Sequence, residues 1–195
     1  MPNAKLISAH GKEILLPHRR IDVVAFQARS LNTGDMTPGA LVINPEDATT
    51  ANPDGVLADA STVAATITAS LAGKLHSTCA TRLADTQYYL STDAEIKQVV
   101  QASHGERWRW IPERFDCDDF AYVLKAFFSS IAYKTDKLSC GLCAGIIWGR
   151  FRWLDEFHAC NWYLNPQQEF KLIEPQNGTV YSANDCLGDV TFVAA

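Results

Sequence analysis

The chain has 195 residues, of which 47% are apolar and 20% charged, with a formal net charge of −5. These values suit one globular domain with at most a small appendage. They exclude a broad nucleic-acid footprint, which needs a basic surface. The first twenty residues hold no apolar run of signal-peptide length, and no segment approaches the ~20 apolar residues of a membrane helix. The expectation is therefore a cytoplasmic protein with no nucleic-acid or membrane partner. Its six cysteines would be mostly reduced.

Taken in order, residues 1–31 carry apolar patches at Leu6–Ile7, Ile14–Leu16 and Ile21–Phe26. Residues 32–58 are rich in Asn, Gly, Asp, Pro and Thr and read as loops around the short run Ala40–Ile43. Val63, Ile67, Leu71 and Leu75 recur every four residues, the spacing of a packed helix, weakened at Gly73. Thr92 and Glu95 have capping-box spacing, and Ile96, Val99 and Val100 continue a helix to about Ser103. Trp108, Trp110 and Pro112 mark an aromatic loop. All five tryptophans lie between 108 and 162, which points to the main core or to the walls of a cleft.

A second helix begins at Cys117. Cys117, Phe120, Ala121, Leu124 and Phe128 fall on one helical face, Asp116 is a good N-cap, and acidic residues fill the first turn. Cys117 then sits at a helix N-terminus, where backbone N–H groups and the macrodipole favour a thiolate. Beyond it, Cys140–Gly149 reads as a buried strand, Arg150–Phe157 as a charged turn, and His158–Leu164 and Phe170–Glu174 as two further strands. Helices first and antiparallel strands after them make an α+β layout.

Cys117 opening a helix, His158 opening a strand and Glu174 ending the next strand form a chemically meaningful set. An imidazole can activate a thiol when a third group fixes its tautomer, and two neighbouring antiparallel strands bring His158 and Glu174 side by side. The carboxylates beside Cys117 oppose its ionisation. A divalent cation held by Asp118 and Asp119 would reverse that field, and hard oxygen ligands favour calcium, magnesium or manganese. Cys140 and Cys143 have zinc or redox spacing, but on one strand they would point to opposite faces.

The segments Asp116–Ala121, His158–Asn161 and Glu174–Gln176 resemble the papain-like cysteine protease domain of fungal chimeric lectins, over residues 88–181. The resemblance implies a papain-like α+β fold, with a catalytic helix packed on an antiparallel sheet over residues 87–195 and an N-terminal extension over 1–86. It implies a thiol hydrolase cleaving peptide or protein substrates, with Cys117 as nucleophile, His158 as general base and Glu174 as orienting group. It also implies activation by calcium or manganese near Asp118 and Asp119. The first half has no QxW-type repeats of a β-trefoil lectin module, which gives no basis for sugar binding. Two alternatives stand beside the peptidase. One is another thiol acyl-transfer enzyme, such as a peptidoglycan amidase or a transglutaminase-like enzyme; the other is a non-catalytic binding or assembly module that keeps the fold.

Overall fold

A computed structural model describes residues 5–7, 13–15, 55–135, 138–154 and 156–195. The chain divides into two compact units, Met1–Ile43 and Asn44–Ala195. In the first, β1 (Lys5–Ile7) and β2 (Glu13–Leu15) form an antiparallel ribbon with Leu6 opposite Ile14. The apolar runs Ile21–Phe26 and Ala40–Ile43, and most of the loop-rich stretch around the latter, lie outside the described residues.

The second unit holds two mixed sheets. Its strands are β3 (Val56–Asp59), β4 (Leu75–Arg82), β5 (Gln87–Leu90), β6 (Gly141–Leu142), β7 (Ala144–Phe151), β8 (Glu156–Leu164), β9 (Phe170–Ile173), β10 (Val180–Ser182) and β11 (Cys186–Ala194). The larger sheet runs β10-β9-β8-β7-β11-β4, and the smaller runs β3-β5-β6. Most neighbours are antiparallel, but β11 pairs β4 in parallel and β5 pairs β6 in parallel. Strand β8 is central and buried along most of its length. Because strand side chains alternate between faces, Cys160, Trp162 and Leu164 point to one side and Ala159, Asn161 and Tyr163 to the other.

Each face has its helix. Helix α1 (Ala60–Ser70) starts at Asp59, whose carboxylate accepts from Thr62 N at 2.7 Å, and it buries Val63 and Ile67 in one core with Trp162, Leu164 and Leu172. Helix α2 (Asp93–Ser103) carries the expected Thr92–Glu95 capping box. Helix α3 (Cys117–Lys134) covers the opposite face of β8, with Ala121 packed on Ile146 and Ala159. Buried Asn161 fixes that contact: its Nδ2 donates to Ala121 O at 2.9 Å and to Gly145 O at 3.1 Å. These two bonds use the amide nitrogen, while Oδ1 has no hydrogen-bond partner among the described residues; they tie helix to sheet and resist sliding.

Several expectations are corrected. The fold is not an α+β papain-like helix on an antiparallel sheet. It is sheet-dominated, with parallel pairs in both sheets. The expected division after residue 86 falls inside the second unit, where β3 and β4 are integral sheet strands. The helix of residue 63 ends before Leu75, because Gly73 adopts a left-handed φ of 73° and Leu75 opens β4. Cys140–Gly149 is two strands, with Cys143 passing between the two sheets. No helix among the described residues is long and apolar enough to cross a membrane.

Of the described glycines, Gly145 leaves the least room for a side chain. A Cβ there would meet Ala194 O at 1.7 Å and Trp162 Nε1 at 2.7 Å, the two atoms that hydrogen-bond each other at 3.1 Å. Gly145→Ala therefore forces β7 and β11 apart, and thermal unfolding should show a loss of about 1–3 kcal/mol, typical of overpacking. An unchanged melting temperature would contradict this packing.

Candidate functional site

The first turn of α3, the start of β8 and the end of β9 meet at one point. Strands β8 and β9 pair with Asn161 opposite Ile173, so continuing the antiparallel register brings Glu174 back toward His158. His158 Nε2 lies 2.8 Å from Glu174 Oε2, and both side chains are about 6% exposed. With Nε2 engaged by the carboxylate, Nδ1 is the ring atom left for the hydrogen bond to Cys117. The expected trio Cys117, His158 and Glu174 is thus brought together.

The charges follow from this geometry. The hydrogen bond with His158 lowers the Cys117 thiol below its ordinary value, with burial opposing and the Ala159 backbone assisting. Burial works against charging the His158 ring. The hydrogen bonds to Cys117 and Glu174 outweigh it and push the imidazole up to about 9. Burial raises the other five thiols, Cys143 to about 12. Cys140 and Cys143 are free cysteines, and neither belongs to a metal-capable cluster among the described residues.

The expected ligands Asp118 and Asp119 part company. Asp119 Oδ2 accepts from Asp116 N at 3.2 Å and is used in capping the helix. Asp118 instead gathers with Asp116 and Cys117, their donor atoms within 4.8 Å of one another. A hydrogen bond to Asp116 raises the Asp118 carboxyl above its usual range, with burial acting in the same direction. Gln176 supports Glu174 through its backbone N, 3.2 Å from Oε1, not through its amide.

Two further residues shape the site: Trp153, which the sequence does not single out, and Phe157, which stands where a small residue is expected before the histidine. Trp153 Nε1 donates to Glu174 Oε2 at 3.2 Å. Phe157, next to His158, is 54% exposed on the strand's other face while the histidine is 5% exposed. The aromatic loop is anchored directly before α3: Ile111 bridges to Phe115, and Trp108 stacks on Phe115 at 5.2 Å. Trp108 and Trp110 remain exposed there.

A trough of about 630 Å³ with mixed apolar and polar walls lies between α2 and the turn from β9 to β10. Asp93, Lys97, Gln101, His104, Arg107 and Asn177 are among the residues that line it.

Residues 88–180 match the family model described as "Agglutinin C-terminal". Comparison with curated protein sequences finds no match. Among solved structures, the chain is similar to one described as "PSL1a-E64 complex", with 29% identity and a TM-score of 0.62 over 71% of this chain and 51% of that one. It is also similar to Polyporus squamosus lectin, described as bound to the human-type influenza-binding epitope Neu5Aca2-6Galb1-4GlcNAc, with 30% identity and a TM-score of 0.60 over 71% of this chain and 49% of that one. The chain spans about half the length of these structures.

These findings overturn the papain-like cysteine peptidase as fold and as function. The matched family model is an agglutinin domain and one of the similar structures is described as a lectin, so neither a hydrolase nor a thiol acyl-transfer enzyme is retained. The non-catalytic binding module is the alternative that fits. A peptide substrate has no support in these descriptions.

The charge distribution has a direct chemical consequence. Iodoacetamide at neutral pH should label Cys117 ahead of the other five cysteines, because only its thiol is held low. His158→Ala should slow that labelling about tenfold by returning the thiol to its ordinary range. Equal labelling of all accessible cysteines, unchanged by His158→Ala, would contradict the assigned pair.

Proposed function

We propose that the chain is a carbohydrate-binding module of the lectin class. The observation that carries this reading is a trough with several polar side chains on its walls, followed directly in the chain by an exposed tryptophan pair. Saccharides need hydrogen-bonding groups for their hydroxyls and an aromatic face for their C–H surfaces. Lys97, Gln101, Arg107 and Asn177 supply the first, and the chain leads from Arg107 straight into Trp108 and Trp110. The volume of about 630 Å³ lies in the range of small-ligand sites. The agglutinin match and the sialylated trisaccharide named for the Polyporus squamosus lectin support the ligand class.

The test is a glycan array followed by titration with that trisaccharide. The expected result is saturable binding, weakened about tenfold or more by Gln101→Ala or Trp108→Ala, the scale of one or two hydrogen bonds or a stacked ring. A flat array, with the folded chain binding no saccharide, would refute the reading.

A second reading concerns the trio at the end of α3, where the hydrogen-bond geometry favours a thiolate–imidazolium pair. Cys117, His158 and Glu174 are proposed as a reactive-thiol centre within the binding module, with Cys117 as the nucleophilic atom. Calcium or manganese is proposed beside it. Two adjacent carboxylates form a hard oxygen donor set, which suits either ion. Asp116 and Asp118 would hold the ion, which would supply positive charge next to the thiolate. Millimolar calcium or manganese should then raise the melting temperature by mass action, and Asp118→Asn should abolish the shift. An equal shift in that variant would place the ion elsewhere.

A further inference from the structure

We propose that Trp153 is a positioning residue for the Cys117–His158–Glu174 centre, holding the Glu174 carboxylate in the one orientation that serves His158; the proposal rests on the reactive-thiol reading of that centre. Trp153 lies in the turn between β7 and β8. Its indole is sandwiched between Phe151, at 4.8 Å and 20°, and Tyr181, at 4.0 Å and 6°. Tyr181 belongs to the edge strand β10, opposite Leu172 of β9, so it is fixed by the same sheet that carries Glu174. The indole therefore has little freedom to turn, and its N–H points at Glu174.

An indole N–H only donates. It meets Glu174 Oε2 at 3.2 Å, on the same oxygen that lies 2.8 Å from His158 Nε2. Oε1 is taken by the Gln176 backbone N at 3.2 Å. Three donors thus hold one buried carboxylate, and only one of them is the functional imidazole. Without the indole, Glu174 keeps two donors and gains rotational freedom about its last torsion, which is broad and soft for a glutamate. The imidazole would then lose the fixed partner that keeps its proton on the side facing the carboxylate. Phe151 adds to the same frame by presenting its ring edge-on to His158 at 6.3 Å.

The competing view is that Trp153 is only packing. The two differ in what a replacement keeps. Trp153→Phe preserves an aromatic ring between Phe151 and Tyr181 and removes the donor. Replacement by benzothienylalanine keeps the bicyclic shape as well and lacks only the N–H. The experiment follows the rate of Cys117 alkylation by iodoacetamide against pH in the full chain. It compares the native protein, both Trp153 replacements and Glu174→Gln, with melting temperature recorded for each.

The expected result is a shift of the thiol inflection toward higher pH and a rate at pH 7 reduced about tenfold, the lower end of the scale of one hydrogen bond to a charged group. Both replacements should move toward the Glu174→Gln profile while remaining folded. A native inflection and rate in the benzothienylalanine protein would overturn the proposal and leave the reactive thiol standing. A native protein whose own Cys117 shows no depressed inflection would overturn the centre and this proposal together.

Discussion

A buried imidazole held between a thiol and a carboxylate is the constraint on which the rest of the site depends. His158 and Glu174 are nearly removed from water, and a buried charge is tolerated only when it is paired and hydrogen-bonded. The pairing of β8 with β9 supplies the carboxylate, and the docking of α3 through Asn161 supplies the thiol. Neither could shift by one residue without exchanging the faces of β8. The buried tryptophan of the same strand locks the register from the other side: Trp162 Nε1 donates to Ile146 O at 3.2 Å and to Ala194 O at 3.1 Å.

The pair also links stability to pH, with opposite signs for its two members. His158 is raised from 6.5 to about 9. Its contribution is complete below the unfolded value and is lost as pH climbs through the folded one. Cys117 is lowered from 9.0, so its contribution is present above that value and is lost as pH falls through its folded value. Between the lowered thiol and the raised imidazole both charges coexist, and that window contains the ion pair.

Local features of this fold were legible in the sequence. The Thr92–Glu95 box and the Asp116 cap depend on residues three or four positions apart, and both helices begin where those signals place them. The approach of His158 to Glu174 was also legible, because one hairpin register determines it, and the cap at Asp116 placed Cys117 at a helix start. Non-local features were not. The parallel pairing of β11 with β4 joins distant segments, and nothing within either segment announces its partner. Trp153 read as part of a charged turn because its role comes from a stack with Tyr181. Asp119 read as a ligand because its capping bond and a metal bond call for the same residue type.

The functional class illustrates a different limit. A thiol, an imidazole and a carboxylate in reach of one another determine where a proton resides, not what the surrounding surface recognises. The peptidase reading came with a family resemblance carried by the trio and its neighbours, whereas the agglutinin match covers residues 88–180 and the lectin structure 71% of the chain. The trough lies between α2 and the turn after β9, and the tryptophan pair lies in the loop after α2.

The most direct test of the central claim is the protonation state of His158, read from its imidazole nitrogen resonances across a pH titration. The account requires a doubly protonated ring at pH 7 that deprotonates near 9, and a markedly lower transition in Cys117→Ala, where the thiolate is gone. A neutral imidazole at pH 7, unmoved by loss of Cys117, would contradict it.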